Sequence, residues 1–135
     1  MTESVASKLF HAIAVGFKEL QLNNIVHRDI KLDNMMLAKV LTHSLTHSLA
    51  YSLIHLLTYL RAQPWNQEQD NVVVKIIDFA LSCVIPPGKT GIMEDSASAV
   101  GNKLTRAPEV TDHNLYSHAS DIYSLGFVLF SIVTG

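Results

Sequence analysis

Hydrophobic positions near the start of the chain predict an amphipathic helix. In residues 4–22, apolar side chains recur at intervals of three or four, which places them on one helical face. The members of this face are Val5, Leu9, Ile13, Phe17 and Leu20. Asn23 and Asn24 follow, and asparagine tolerates the left-handed conformation that commonly ends a helix.

Later hydrophobic segments predict two strands and a second long helix. Met35–Leu37 and the β-branched run Val72–Ile77 are typical of buried strands. Residues 82–105 are rich in Ser, Thr, Gly and Pro, which predicts a long loop. Residues 118–134 are apolar on nearly every face, which predicts a helix packed on all sides.

A repeat lies between the two predicted strands. Leu-Thr-His-Ser at 41–44 recurs at 45–48 and decays by residue 56. A leucine every fourth residue drifts by about 40° per repeat around an α-helix, so no fixed stripe results. When the tetranucleotide CTCA is repeated and read as codons, it gives CTC-ACT-CAC-TCA, which encodes Leu-Thr-His-Ser. We interpret residues 38–71 as a low-complexity insertion translated from simple-repeat DNA, with an unspliced intron as one origin. This origin is favoured over zinc binding by His43 and His47, because the Glu of H-E-x-x-H is absent.

Composition narrows the class of protein. The hydrophobic share of 48% is typical of a folded domain. A net charge of −2 shows no basic excess, so neither nucleic acid nor an anionic membrane is an expected partner. A single cysteine, Cys83, excludes an internal disulfide. We expect a soluble cytoplasmic or otherwise intracellular protein, and the sequence leaves its oligomeric state open.

Charged and amide side chains concentrate in one octet, His27–Asn34, although only 16% of all residues are charged. Asp29, Lys31 and Asn34 come just before the first predicted strand, and Asp78 follows the second. Phosphoryl transfer needs a carboxylate near the attacking hydroxyl, a cation near the phosphate and oxygen ligands for Mg²⁺. Oxygen ligands from Asp and Asn suit magnesium better than zinc.

The octet, His-Arg-Asp-Ile-Lys-Leu-Asp-Asn, resembles the catalytic loop of the eukaryotic protein kinases. Asp78-Phe79-Ala80 resembles their metal-binding triplet, residues 107–109 the end of their activation segment, and residues 120–126 their following buried helix. Lys31, two residues after Asp29, is similar to the serine/threonine branch.

The resemblance covers residues 4–37 and 72–135. It implies an α+β, mainly helical fold in which residues 1–135 form a partial kinase domain, namely the large C-terminal lobe without the small lobe and the final helices. Residues 4–37 would supply a helix, the catalytic loop and the first strand. Residues 72–135 would supply the metal-binding triplet, the activation segment and the buried helix.

The resemblance implies a role for each site residue. Asp29 would orient or deprotonate the hydroxyl of a protein serine or threonine, and Lys31 would stabilise charge on the transferring phosphate. Asn34 and Asp78 would bind Mg²⁺, and with Met36 beneath the adenine they would bind ATP. Met36 has a simpler alternative as an ordinary core residue of its strand.

Other expectations concern neighbours of the site. Arg28 would bind a phosphorylated activation segment, for which Thr90, Ser96 and Ser98 are candidates, with ordinary loop residues as the alternative. His27 and Phe79 would stack in the core, and Asp121 would hold the backbone of the catalytic loop.

Four residues depart from the family pattern, two of them being Thr105 and Arg106 in place of a common Tyr-Met pair. Ala80 replaces a glycine, at a cost of about 1 kcal/mol if its position requires a positive φ. Asn102 replaces the usual threonine and can still hydrogen-bond.

Three interpretations of function remain in competition. Gly16 is the only glycine before the octet, so no glycine-rich phosphate loop precedes it, and we expect the isolated chain to be inactive. The alternatives are an active kinase, a non-catalytic remnant that acts as a binding module, and a fragmentary gene model of an ordinary kinase. The last is favoured because Asp29, Lys31, Asn34 and Asp78 are all present.

Overall fold

The computed structural model describes residues 3–40, 51–52, 71–93 and 99–134. These residues form helices α1 (Glu3–Leu22), α2 (Pro108–His113) and α3 (His118–Thr134). They also form strands β1 (Ile25–Val26), β2 (Met35–Val40), β3 (Tyr51–Ser52), β4 (Asn71–Ile76), β5 (Cys83–Val84), β6 (Ile92–Met93) and β7 (Leu115–Tyr116).

The long helices predicted over residues 4–22 and 118–134 are confirmed, as are strands over both predicted runs. The loop predicted over 82–105 contains the short strands β5 and β6. His43, His47, Ser96 and Ser98 lie outside the described residues, as does the repeat apart from Tyr51 and Ser52.

The central sheet has β2 between β3 and β4, all antiparallel to their neighbours. The β2–β4 pairing runs from Met35 opposite Ile76 to Val40 opposite Asn71. Strand β2 therefore continues three residues past its predicted end at Leu37, because the ladder along β4 offers paired backbone groups to its full length. The sequence pattern missed this extension because Ala38 and Lys39 have weak strand propensity.

The main core lies where α1 covers the sheet and meets α3. The buried side chains of this core are Ala6, Leu9, Ile13, Phe17, Leu20, Ile30, Met35, Val74, Leu125, Val128 and Ile132. Four of the five residues predicted for the buried face of α1 are buried, while Val5 is half-buried and Ala6 is buried instead. A second cluster joins Val26, Ile85, Ala107, Val110 and Tyr116 beneath the octet.

Helix α3 is packed on one face only within the described structure, so the prediction of packing on all sides is wrong there. Its buried side includes polar Ser120, Asp121 and Ser124 beside the apolar core residues. The apolar residues of its other side are between 36% and 65% exposed: Ile122, Tyr123, Phe127, Leu129, Phe130 and Val133. Helix α1, the octet and β7 contact α3. Over the described ranges, no helix combines the length and apolarity needed to cross a membrane.

Gly126 in α3 supplies a stability prediction. It is exposed, and a Cβ added there meets no atom within 4 Å. Gly126→Ala is therefore expected to raise the free energy of unfolding by about 0.5–1 kcal/mol, because alanine loses less backbone entropy in a helix. Urea unfolding of the variant measures this gain. The reverse change within α1, Ala14→Gly, should lower stability by a similar amount, and a destabilised Gly126→Ala would contradict the prediction.

Candidate active site

The chain enters the octet through a sharp turn after α1. Asn24 adopts the left-handed conformation with φ of 55°, as the asparagine pair predicts, and its carbonyl accepts a hydrogen bond from Ile85 N at 2.8 Å. Strand β1 then pairs with β5, and Val26 is fully buried. These contacts fix the start of the octet against the second core cluster.

Asp121 of α3 accepts two hydrogen bonds from the backbone of the octet. Its Oδ2 accepts a hydrogen bond from His27 N at 2.6 Å, and its Oδ1 accepts one from Arg28 N at 2.9 Å. The residue is only 1% exposed. Burial raises the pKa of the Asp121 carboxyl above its ordinary value, although the two N–H donors act in the opposite direction. The contact that the resemblance implies for Asp121 is present.

His27 links the octet to the end of β4. Its ring Nε2 donates to the carbonyl of Ile77 at 3.0 Å, since a carbonyl oxygen can only accept. The ring meets that of Phe79 edge to face, with centroids 5.0 Å apart and planes at 62°. His27 is buried, but Phe79 is 43% exposed, so the prediction that both rings stack in the core is wrong for Phe79. The edge-on contact leaves Phe79 partly at the surface.

Backbone strain falls on two site residues. Arg28 and Asp78 have φ of 68° and 63°, a conformation that costs a non-glycine residue roughly 1–2 kcal/mol. Ala80 is not among the described residues with positive φ, so the expected penalty for its methyl group does not arise. The left-handed residue of the triplet is Asp78, which turns the chain as it leaves the sheet.

Asp29 is the centre of a bonded cluster and is only 8% exposed. Its Oδ2 accepts from Lys31 Nζ at 2.8 Å and from Asn34 Nδ2 at 2.9 Å. Its Oδ1 accepts from the backbone N of Asn102 at 3.0 Å. Burial by itself acts to raise the pKa of Asp29, but these donors and the Lys31 charge outweigh it and lower the pKa below its ordinary value. The hydrogen bond with Asp29 raises the pKa of Lys31.

Asn34 and Asp78 are brought to neighbouring positions by the backbone. Ile77 N donates to the carbonyl of Asn34 at 2.9 Å, and Asp78 is the next residue. Both described hydrogen bonds of the Asn34 amide use its nitrogen, with the carbonyl and carboxylate of Asp29, so the amide oxygen is the atom available to a cation. The carboxylate of Asp78 is exposed and makes a long contact of 3.4 Å with Ala80 N. One amide oxygen and one open carboxylate fit Mg²⁺, which usually takes one or two protein ligands together with phosphate oxygens and water.

A metal centre of the closed structural kind is not found in the described part of the chain. No three His, Cys, Asp or Glu side chains there are close enough to hold an ion.

Met36 lies on β2 opposite Lys75 and is half-buried, whereas its neighbour Met35 is fully buried in the main core. Since successive side chains of a strand face opposite sides, the simpler interpretation of Met36 as a core residue applies to Met35 instead.

Arg28 points toward the loop after the triplet. Its Nε donates to the carbonyl of Leu81, and its guanidinium carbon lies 4.9 Å from the centre of the Tyr116 ring. Thr90, the one candidate phosphorylation site within the described residues, is exposed.

Sequence reasoning missed three contributions to the site. Asn102 contacts Asp29 through its backbone rather than its side chain. Gly101 lies so close to the carbonyl of Arg28 that a Cβ would overlap it. Ser124 donates to the carbonyl of Thr105 at 2.8 Å and so ties this loop to α3. No side-chain pattern marks these positions, because backbone groups make most of the contacts.

Comparison with known proteins agrees with this geometry. The chain is 29% identical over 123 residues to the serine/threonine-protein kinase STY46 of Arabidopsis thaliana, covering 91% of this chain and 15% of that protein. It is 29% identical over 135 residues to the DNA damage response protein kinase DUN1 of Saccharomyces cerevisiae, covering 100% and 23%. It is 32% identical over 123 residues to the serine/threonine-protein kinase ATG1 of Candida glabrata, covering 91% and 12%.

The chain thus spans less than a quarter of the length of each of these three relatives. The family model described as the protein kinase domain matches residues 1–135. The chain therefore belongs to the protein kinase domain family.

Proposed function

We propose that these residues form the phosphate-transfer part of a serine/threonine protein kinase, which moves the γ-phosphate of ATP to a hydroxyl of a protein substrate. The observation that carries this proposal is the cluster on Asp29, where Lys31, Asn34 and Asn102 all donate to one buried carboxylate. The serine/threonine kinases among its relatives support the choice of substrate.

Each residue has a defined task in this proposal. Asp29 accepts the proton of the substrate hydroxyl or orients it, and its lowered pKa keeps the carboxylate ionised at neutral pH. Lys31, next to Asp29, contributes positive charge where phosphate oxygens collect. Asn34 and Asp78 would hold Mg²⁺, which when bound neutralises phosphate charge. Met36, on the face of β2 opposite the core, would contact the adenine of ATP.

We further propose that the fold corresponds to the large, mainly helical lobe of a kinase domain. Residues 4–37 would supply the helix, catalytic loop and first strand, and residues 72–135 the triplet, activation segment and buried helix. Residues 38–71 would be an insertion between the two predicted strands, although its ends, residues 38–40 and 71, continue the paired strands β2 and β4. The packing of α1, the hairpin and α3 around one core supports this assignment.

A non-catalytic binding module is the alternative. The bonded cluster favours the enzyme, because a binding module has no need to keep a lysine, an amide and a backbone N–H on one carboxylate. The sequence offers no glycine-rich loop before the octet to hold the phosphates. These 135 residues by themselves are therefore proposed to be inactive in phosphate transfer.

We propose that the isolated chain does not bind Mg·ATP with useful affinity, so paramagnetic Mn²⁺ without ATP tests the metal site directly. In the isotope-labelled chain, Mn²⁺ is expected to broaden the amide signals of Asn34 and Asp78 before those of the far end of α1. Asp78→Asn should remove most of this broadening, because a neutral amide binds a divalent cation more weakly than a carboxylate. Asp33 carries an exposed carboxylate next to Asn34, so Asp33→Asn is the matched control. This variant should keep the broadening.

Uniform broadening, or broadening that Asp78→Asn leaves unchanged, would overturn the proposed site.

In a second experiment, the chain is incubated with ATP labelled in its γ-phosphate and a protein that contains serine and threonine. We expect no incorporation above that of Asp29→Asn. Incorporation that depends on Asp29 would contradict the proposed inactivity of the chain while supporting the transfer chemistry.

A further inference from the structure

The exposed side of α3 is apolar along most of the helix. With 3.6 residues per turn, its exposed apolar residues cover an arc of about 160° opposite the buried side. A contiguous apolar surface of this kind marks a binding surface, whereas single exposed apolar residues are ordinary. The residues of this surface, here called the α3 patch, are Ile122, Tyr123, Phe127, Leu129, Phe130 and Val133.

The α3 patch has a low centre between two rows of larger side chains. Gly126 lies in the middle of the arc, and a Cβ added there meets no atom within 4 Å. The aromatic row consists of Tyr123, Phe127 and Phe130, whose spacings of four and three residues are those of a seam between two helices. The rings of Tyr123 and Phe127 have their centres 5.6 Å apart. A second helix could therefore approach closely at Gly126, with large side chains packed on either side.

The area of the α3 patch fits a dimer of modest stability. Its three aromatic residues together expose the equivalent of about one and a half side chains, or about 220–370 Å². The aliphatic members raise the exposed apolar area to about 300–550 Å². Since about 65% of a homodimer interface is apolar, a pair would bury about 450–850 Å² on each copy. Standard interfaces bury about 800 Å² per partner, so we expect pairing that is reversible and depends on concentration.

The absence of charge on the α3 patch favours a second copy over a charged partner. Helix α3 contains no lysine or arginine, and its one acidic residue, Asp121, is buried on the other side. Two copies of the patch can thus meet without electrostatic repulsion, whereas a charged partner would find no opposite charge there. The net charge of −2 on the whole chain is also too small to keep copies apart.

We propose that two copies of this chain pair through their α3 patches, with the two helices crossing near Gly126. Because both copies use the same surface, a two-fold pair is closed and stops at two chains. Asp121 and the octet lie on the opposite side of α3, so the pairing does not cover the cluster around Asp29. The inference is independent of the proposed function.

Sedimentation equilibrium of the 135-residue chain tests the pairing. We expect the average mass to rise from 14.9 kDa at micromolar concentration toward twice that value at millimolar concentration, and no further. Hydroxyl-radical footprinting of the same samples should show that oxidation of Tyr123, Phe127 and Phe130 falls as the mass rises. Pairing removes these rings from solvent, and no other surface of the chain would be protected in step with the mass.

Phe130→Glu should raise the dissociation constant of the pair at least about tenfold. The change removes a large aromatic contact, and two-fold symmetry places two new charges in one apolar interface. Val15→Glu is the matched control, because Val15 is an apolar residue of α1 that is 53% exposed and lies outside the α3 patch. This control should leave the dissociation constant unchanged.

Gly126→Leu tests the close approach of the two helices. A leucine side chain would fill the low centre of the α3 patch, so the dissociation constant should again rise at least about tenfold. At concentrations where the chains are separate, the variant should be no less stable than the wild type, because leucine has the higher helix propensity and meets open space there. Unchanged pairing in Gly126→Leu would contradict a crossing at Gly126.

The wild type alone decides whether the pairing exists, even where a variant fails to fold. A mass that stays at 14.9 kDa up to millimolar concentration would overturn the proposal. Rings protected at every concentration in such a monomer would show that another part of the same chain covers the patch. Binding of the monomer to neutral phosphatidylcholine vesicles, lost in Phe130→Glu, would instead assign the patch to a lipid surface. Masses beyond the dimer, or a dimer that Phe130→Glu leaves intact, would also refute pairing through α3.

Discussion

Asp121→Ala is expected to lower the free energy of unfolding by about 2–4 kcal/mol, because it leaves one buried and one partly buried N–H group without an acceptor, and an unsatisfied buried group costs about 1–3 kcal/mol. The two donors, His27 N and Arg28 N, lie 2.6 and 2.9 Å from its carboxylate oxygens. A loss of this size is a large share of the 5–15 kcal/mol that stabilises a typical domain. Urea unfolding followed by circular dichroism measures it.

Two further variants make the interpretation of Asp121→Ala specific. Asp121→Asn keeps one acceptor oxygen and sets an N–H₂ group against the other donor, so its loss should be intermediate. Asp112→Ala removes an exposed carboxylate from α2 and should change stability by no more than about 0.5 kcal/mol. If Asp121→Ala were as stable as Asp112→Ala, the hydrogen bonds from the octet to Asp121 would not be stabilising the fold.

Gly101→Ala is the second change with a large expected effect. Its new Cβ would overlap the carbonyl oxygen of Arg28, which belongs to the backbone and cannot rotate away. The positive φ costs about 1–2 kcal/mol and the forced shift of packed backbone about 1–3 kcal/mol, so we expect a total loss of about 2–5 kcal/mol. The loop of residues 101–106 should also move, and the amide of Asn102 should then lose its contact with Asp29.

Gly88→Ala provides a control with nearly the same backbone conformation. Gly88 has φ of 79°, but an added Cβ there meets no atom within 4 Å. Its loss should be limited to the conformational cost of about 1–2 kcal/mol, with the Asp29 carboxyl signal unchanged. Equal losses in thermal unfolding for the two glycine variants would show that the close approach of Gly101 to Arg28 is unimportant.

The regular elements could be predicted because their signals are local. The three- and four-residue spacing in α1, the β-branched run in β4 and the asparagine at the end of α1 each act within a few positions of the chain. Boundaries were less predictable, as β2 shows. Its last residues are strand because β4 pairs with them, and these partners lie 31 to 35 positions away along the chain.

The site was predicted in part. Asp29, Lys31, Asn34 and Asp78 carry side chains whose chemistry is legible in the sequence, and the first three are in direct contact. The donor from Asn102 could not be foreseen, because every residue except proline has a backbone N–H and its direction depends on the fold. Likewise, the residue types of the triplet suggested strain at Ala80, while the path of the chain places it at Asp78.

By itself, the order of residues determined which segments are helix or strand and where charged and amide side chains concentrate, since both follow from neighbours along the chain. Only the tertiary structure decided how Asp29 is oriented. Its donors come from Lys31 and Asn34 nearby and from Asn102, 73 positions further on, and the octet itself is anchored by Asp121, 94 positions from His27. Such distances are closed by packing α1, α3 and the sheet around one core, and no pattern within a short window can encode that geometry.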